Sequence, residues 1–344
     1  MVPVMKPPRR AVPALLATAL LLGLGASAPA AAEPPRFGLP VVCEIGRDCV
    51  VQNYVDQAAG PGARDMTCGP LTYDGHDGID IRVAGRPEME AGVPVVAAAA
   101  GTVVARRDGL PDISFRDRPE EAIRGREAGN GVRLDHGDGW QTQYSHLRRG
   151  SVAVELGEAV AAGQRLGLIG LSGKTEFPHL HFTVRHRGTV IDPFTGTEPG
   201  SGCGAPGEGL WTPAAAEALA YRAGGLLIAG FADGAPALRA LLDGRGRERS
   251  PDGASPALVF WAVAWGLRAG DRETIALYRP DGTVVAESEA RLPGDKAQWL
   301  RYAGREAPAG GWPSGTYRGT YRVERDGPNG ATTVVATERI LELR

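Results

Sequence analysis

The stretch Ser172-Gly173-Lys174-Thr175-Glu176-Phe177-Pro178-His179-Leu180-His181-Phe182 reads as a loop that stops at Pro178 and runs into a strand. Side chains alternate faces along a strand. His179 and His181 therefore share one face, about 7 Å apart at Cα, while Leu180 and Phe182 point the other way into a core. Two imidazoles on one face suit a metal ligand with a proton-handling neighbour. They equally suit two polar positions on a solvated edge strand, so any partners must come from elsewhere in the chain.

The segment Tyr73-Asp74-Gly75-His76-Asp77-Gly78-Ile79-Asp80-Ile81 offers them. His76 and Asp80 are four apart, but Gly75 and Gly78 argue against a helix. Fully extended, their Cα atoms would lie about 13 Å apart. Ligand atoms on one zinc ion sit only about 3–3.5 Å apart. The backbone must bend, and Gly78 is the residue expected to permit it. The plainer alternative makes His76 a surface turn residue and Asp80 a cap.

All six histidines fall between His76 and His186. Taken together, His76, Asp80 and His181 supply two imidazoles and a carboxylate. Three protein ligands with an open fourth position characterise catalytic rather than structural zinc. Such an ion lowers the pKa of its bound water from 15.7 to about 7. His146 and His179 are the groups left to move protons. No His-Glu-x-x-His helix is present, which excludes that class of metallopeptidase. His136, in a hairpin turn, and His186 read as structural and exposed, respectively. Tyr144 fits either a groove or a core.

His76-x-Gly78-x-Asp80, Tyr144-x-His146-Leu147 and His179-Leu180-His181-Phe182 occur in the order and spacing of the lysostaphin/LytM-type zinc metallopeptidases. The resemblance spans about Tyr73 to Phe194. It implies a zinc endopeptidase that hydrolyses the stem peptides or cross-links of peptidoglycan. By that likeness His76, Asp80 and His181 hold Zn2+, and His146 and His179 are the catalytic pair. It also implies an antiparallel β domain with a narrow groove. Two departures stand out: Phe177 occupies a position usually small, and Thr183 follows the His-Leu-His-Phe run where Glu is common. The competing readings are a non-catalytic cell-wall-binding regulator of another murein hydrolase, or an enzyme acting on a non-wall protein.

The 344 residues carry a formal net charge of -2, so nothing points to nucleic acid or an anionic membrane as a partner. With 49 glycines and 27 prolines, turns and short strands should dominate. Residues 1–32 read as a signal peptide: basic Lys6, Arg9 and Arg10, an apolar run Ala14–Gly25, and small Ala30-Ala31-Ala32 before cleavage. The remainder is expected to be exported to the periplasm or cell envelope, or secreted, without membrane insertion. The four cysteines suggest two disulfides. The expected pairing is Cys49 with Cys68 and Cys43 with Cys203, the latter tying the start of the first domain to its end.

The chain then divides into a disulfide-stapled arm over 33–70, a metallopeptidase domain over 71–204, a linker over 205–214 and an accessory domain over 215–344. Within the second segment, Asp108–Gly129 reads as a charged surface loop and Gly131–Leu147 as a hairpin. No histidine follows His186. Six strand-like runs with turn signals suggest an immunoglobulin-like β-sandwich. The expected fold class is all-β throughout, with the accessory domain a possible site for a protein partner.

Overall fold

The computed structural model describes residues 33–200, 202–204, 207–247, 250–328 and 330–344. The signal-peptide expectation over 1–32 lies outside the described residues. Ten strands build the N-terminal part: β1 (Cys49–Asn53), β2 (Ile79–Val83), β3 (Pro94–Val96), β4 (Gly101–Arg107), β5 (Asn130–Asp135), β6 (Trp140–Leu147), β7 (Ala159–Val160), β8 (Arg165–Leu168), β9 (His179–His186) and β10 (Thr189–Ile191). Eight of them form one sheet in the order β1-β2-β9-β6-β5-β4-β7, with β10 paired to β9. Every pairing is antiparallel.

The alternation read in the sequence places each face. Ile79, Ile81, Leu180 and Phe182 have no exposed surface and form the core side. Each fully buried side chain of this kind contributes about 1.5–3 kcal/mol. Asp80, Arg82, His179 and His181 occupy the opposite face. Tyr144 is wholly buried, and its hydroxyl accepts a hydrogen bond from the Ala98 amide at 2.8 Å, so it belongs to the core and not to a groove. The Gly131–Leu147 hairpin is present as β5–β6 and turns through Gly137, Asp138 and Gly139, all at positive φ. β3 pairs with β8 in a small separate sheet, whereas β4 joins the main one.

Residues 33–70 join the main sheet and its core. β1 is the edge strand of the main sheet, and Phe37, Val41 and Tyr54 lie in its core. Within the 205–214 stretch, Leu210 and Trp211 are buried in that same core.

The disulfides differ from the expected pairing. Cys43 bonds Cys49, and Cys68 bonds Cys203. A tight turn over Glu44–Asp48 folds Cys49 back on Cys43, with the Gly46 amide donating to the Cys49 carbonyl at 2.6 Å. The Gly204 amide bonds the Met66 carbonyl and brings Cys203 to Cys68 instead. Four cysteines allow three connectivities, and spacing alone does not choose among them.

Beyond helix α1 (Arg86–Ala91) and helix α2 (Pro213–Ala218), the C-terminal part contains β11 (Gly225–Ala232), helix α3 (Leu238–Leu242), β12 (Ala257–Leu267), β13 (Arg272–Tyr278), β14 (Val284–Arg291), β15 (Lys296–Glu306), β16 (Gly315–Gly327) and β17 (Gly330–Leu343). Two sheets, β11-β12-β15 and β14-β13-β16-β17, enclose a core containing Phe260, Leu277, Tyr317 and Tyr321. This is an immunoglobulin-like sandwich of seven strands. The strand absent from the sequence reading is β15. Its side chains are half-exposed, so Lys296–Glu306 carries no continuous apolar run.

The two disulfides close loops of very different length, 6 and 135 residues apart in sequence. Chain-entropy arguments then assign about 2 kcal/mol to the first and about 5 kcal/mol to the second. Urea unfolding of the paired Cys→Ser variants should show the larger loss for Cys68–Cys203, and peptide mapping of the oxidised protein should recover these two pairs.

Candidate metal centre

The central strands bring the site together by register. Asp80 on β2 lies directly opposite His181 on β9, and Arg82 lies opposite His179. On the other side of β9, Ser145 of β6 faces His181, which places His146 beside it. His76 precedes β2 in a turn closed by its own amide on the Tyr73 carbonyl at 3.0 Å. The turn is made at Gly75, whose φ is 72°, and Gly78 is not in the left-handed region. The expectation that Gly78 supplies the bend is therefore corrected. Gly78 is needed for close approach: a Cβ there would sit 2.6 Å from the Phe182 carbonyl oxygen and 2.7 Å from His181 Nε2.

Three atoms converge. His76 Nε2 is 3.1 Å from Asp80 Oδ1 and 3.2 Å from His181 Nδ1, and His181 Nδ1 is 3.0 Å from Asp80 Oδ1. The remaining atoms of each group are tied elsewhere. His76 Nδ1 donates to the Tyr54 carbonyl at 2.7 Å, which leaves Nε2 with a lone pair. His181 Nε2 faces Asp77 Oδ1 at 3.1 Å and Thr183 Oγ1 at 3.0 Å, which leaves Nδ1 with a lone pair. Asp80 Oδ2 accepts from Asn53 at 2.8 Å, which leaves Oδ1. With His181 neutral, three electron-rich atoms thus face one another; without a cation, a proton on His181 Nδ1 toward Asp80 takes that place. Their spacing matches that of donors sharing one small cation, about 3–3.5 Å, and two imidazoles with a carboxylate are a zinc donor set. The residues present fit that ion.

Charge in the site follows from burial and proximity. Burial pushes the Asp80 carboxyl up, but His76, His179 and His181 hold it well below the usual range. Burial pulls His181 down, yet its hydrogen bonds to Asp77 and Asp80 raise it to about 9. Asp77 is itself anchored by Arg185 at 2.7 Å.

His146 and His179 stand next to this cluster, with ring centroids 4.7 Å apart. Both are tethered through Nδ1 to a backbone carbonyl: His146 to Ser172 at 2.7 Å and His179 to Phe177 at 2.9 Å. Each therefore keeps Nε2 as an acceptor, and that of His179 lies 3.3 Å from Asp80 Oδ1. His146 adopts a φ of 62°, an uncommon conformation for a residue with a side chain, just before the end of β6, and its ring lies beside that of His179. Burial first, and then the neighbouring imidazoles, push His146 well below the ordinary histidine value, so it is uncharged at neutral pH.

The other histidines stay outside. His136 bridges the Ala100 carbonyl and Thr142, and His186 stacks on Trp140. Asn53, Asp77 and Arg185 were not singled out in the sequence. Asp77 adjoins His76 and Arg185 repeats the His181–Thr183 alternation, so both were within reach of the pattern. Asn53 was not: it reaches Asp80 only because β1 pairs with β2 in that register.

Residues 74–193 match the model described as peptidase family M23. The match is confined to that segment. A Haemophilus influenzae protein described as an uncharacterized metalloprotease is 33% identical over 153 residues, 44% of this chain and 27% of that one. The peptidoglycan DD-endopeptidase ShyA of Vibrio cholerae is 32% identical over 117 residues, 34% of this chain and 22% of that one. The chain spans about a quarter of the length of these relatives. Among solved structures, the catalytic domain of lysostaphin from Staphylococcus simulans is 28% identical and covers 39% of this chain and 86% of that one, with a TM-score of 0.26. The M23 segment thus holds His76, Asp80, His146, His179 and His181 together.

Outer groups that orient a metal-binding imidazole are typically worth 10–100-fold in metal affinity. The purified protein should bind one equivalent of zinc, measured by elemental analysis, and His181→Ala should abolish this. Asp77→Ala should retain the stoichiometry but lose 10–100-fold in affinity in competition with a chelator.

Proposed function

We propose that the chain is a zinc-dependent endopeptidase acting on the stem peptides or cross-links of bacterial peptidoglycan, exported to the periplasm or cell envelope. The single observation that carries this is the convergence of His76 Nε2, Asp80 Oδ1 and His181 Nδ1 beside two further imidazoles, each tethered through Nδ1 to a backbone carbonyl. The M23 match and the relative named as a peptidoglycan DD-endopeptidase support the same substrate class.

A zinc ion bound by the three residues supplies Lewis acidity and an activated water. The chain's own groups do the rest. Asp77 and Thr183 fix the His181 ring so that Nδ1 faces inward. His146, uncharged because it is buried, can accept a proton at Nε2 and return it to the departing amine. His179 shares that face and, once carrying a proton, can donate a hydrogen bond to the developing oxyanion. The carbonyls of Ser172 and Phe177 prevent either ring from flipping. The paired tethers support the catalytic reading over that of a purely wall-binding regulator.

Purified cell walls should be cleared by the full chain, and a chelator should stop this. His146→Ala should keep its zinc while losing 10²–10⁴-fold in turnover, the usual span for a general acid–base group. Undiminished clearing by a zinc-loaded His146→Ala protein would overturn the assignment.

A further inference from the structure

A cavity of about 540 Å³ lies between the Phe177–Pro178 turn of the M23 segment and the Leu238, Leu242 and Gln298 side chains of the C-terminal part. That volume falls within the range of small-ligand sites. Phe177, which lines it, also borders the metal centre. The Phe177 ring is 5.0 Å from the His179 ring, and Asp80 is the next residue in contact.

Its walls are fixed. Arg247 bonds Glu88 at 2.6 Å, joining the α3 region to α1. Gly85 lets the Leu242 carbonyl approach so closely that a Cβ there would lie 2.2 Å from that oxygen. Trp265 of β12 is buried in the core of the N-terminal part.

Its charge is unbalanced. Five arginines line it against three carboxylates, an excess of two. Arg116 pairs with Glu176 at 2.7 Å, Arg239 with Asp117, and Arg245 with Asp243 at 3.0 Å. Arg82 and Arg86 are left. Arg82 is fully buried, spends its guanidinium on Gln52 and two backbone carbonyls, and lies 4.2 Å over the Phe177 ring. Asp80 and Glu88 act on its charge through space, and its N–H groups are committed to Gln52 and the two carbonyls, so Arg82 shapes the wall beneath Phe177 and leaves ligand contact to Arg86. Arg86 has only long contacts, 3.5 Å to the Asp112 carbonyl and 3.8 Å to Glu90, and is free to turn to a ligand.

We infer that this cavity is a substrate subsite, half of it built by the accessory domain, that takes a carboxylate-bearing residue of the peptide flanking the scissile bond. Leu171, Leu238 and Leu242 provide the apolar wall, and Arg86 binds the carboxylate. The inference rests on the endopeptidase reading, and the test separates the two. The zinc-loaded full chain is given a cross-linked stem-peptide dimer with free carboxylates and the same dimer with those carboxylates amidated. Amidation should raise KM about tenfold with kcat unchanged, the size of one charge-assisted hydrogen bond. Arg86→Gln should raise KM for the free form by the same factor, with no further penalty on amidation. Leu242→Glu, which places a carboxylate in the cavity, should impair the free form more than the amidated one. An equal KM for both forms in the unmodified chain, or an amidation penalty that survives in Arg86→Gln, would overturn the subsite. If neither dimer is cleaved, the endopeptidase reading falls instead. Calorimetry with the two dimers then decides the cavity: tenfold tighter binding of the free form, lost in Arg86→Gln, supports it, and equal binding rejects it.

Discussion

Asp80 sits directly across from His181 in the β2–β9 ladder, and the rest of the centre depends on that one register. A slip of one residue would turn Asp80 and His181 into the core and bring Ile81 and Leu180 to the working face. The slip is resisted by the fully buried Ile79, Ile81, Leu180 and Phe182 on the other side. The same alternation that builds the core therefore aims the ligands. β1 and β6 flank the pair, and each adds a group at a fixed height: Asn53 on one side, His146 on the other.

Once the register is set, the electrostatics follow. Three electron-rich atoms within about 3 Å of one another repel in a buried site unless a positive charge joins them. The protein does not relieve that repulsion by turning the rings away, because each outward nitrogen is already committed to Tyr54, Asp77 or Thr183. Either a proton on His181 or a cation shared by the three atoms relieves it, and the three residues are a group that could hold a metal ion. Thr183 is informative here. It leaves the His181 Nε2 without a carboxylate from its own strand, and Asp77, held by Arg185, supplies one from the loop before β2.

The centre was legible in the sequence because its parts lie within short motifs whose period matches a strand. His179 and His181 alternate with Leu180 and Phe182, and that alone placed them. What was not legible depends on pairing between distant segments. Asn53 and Ser172 reach the site through ladder register and loop closure, which leave no local trace. The disulfides failed for the same reason: Cys43 meets Cys49 through a local turn, and the long closure falls to Cys68. Gly78 was noticed for the wrong reason. A glycine can be required for space as well as for φ, and only neighbours tell which.

The accessory domain shows how much an unbroken apolar run can carry. Ala257–Leu267 does not alternate, and a strand that fails to alternate is covered on both faces. One face, with Leu258, Phe260 and Ala262, belongs to the sandwich core. The other faces outward from it: Trp261 and Val263 pack on Leu241 of α3, and Trp265 enters the core of the N-terminal part. A strand used in this way cannot belong to a domain that swings on a linker. The buried Leu210 and Trp211 lead to the same result from the other direction. The short helix held on the outer face of β12 thereby stands at a fixed place beside Phe177, and through Phe177 beside His179. Docking of the sandwich and shaping of the groove's end are one structural event, so a change at the β12 interface is felt at the loop that positions His179.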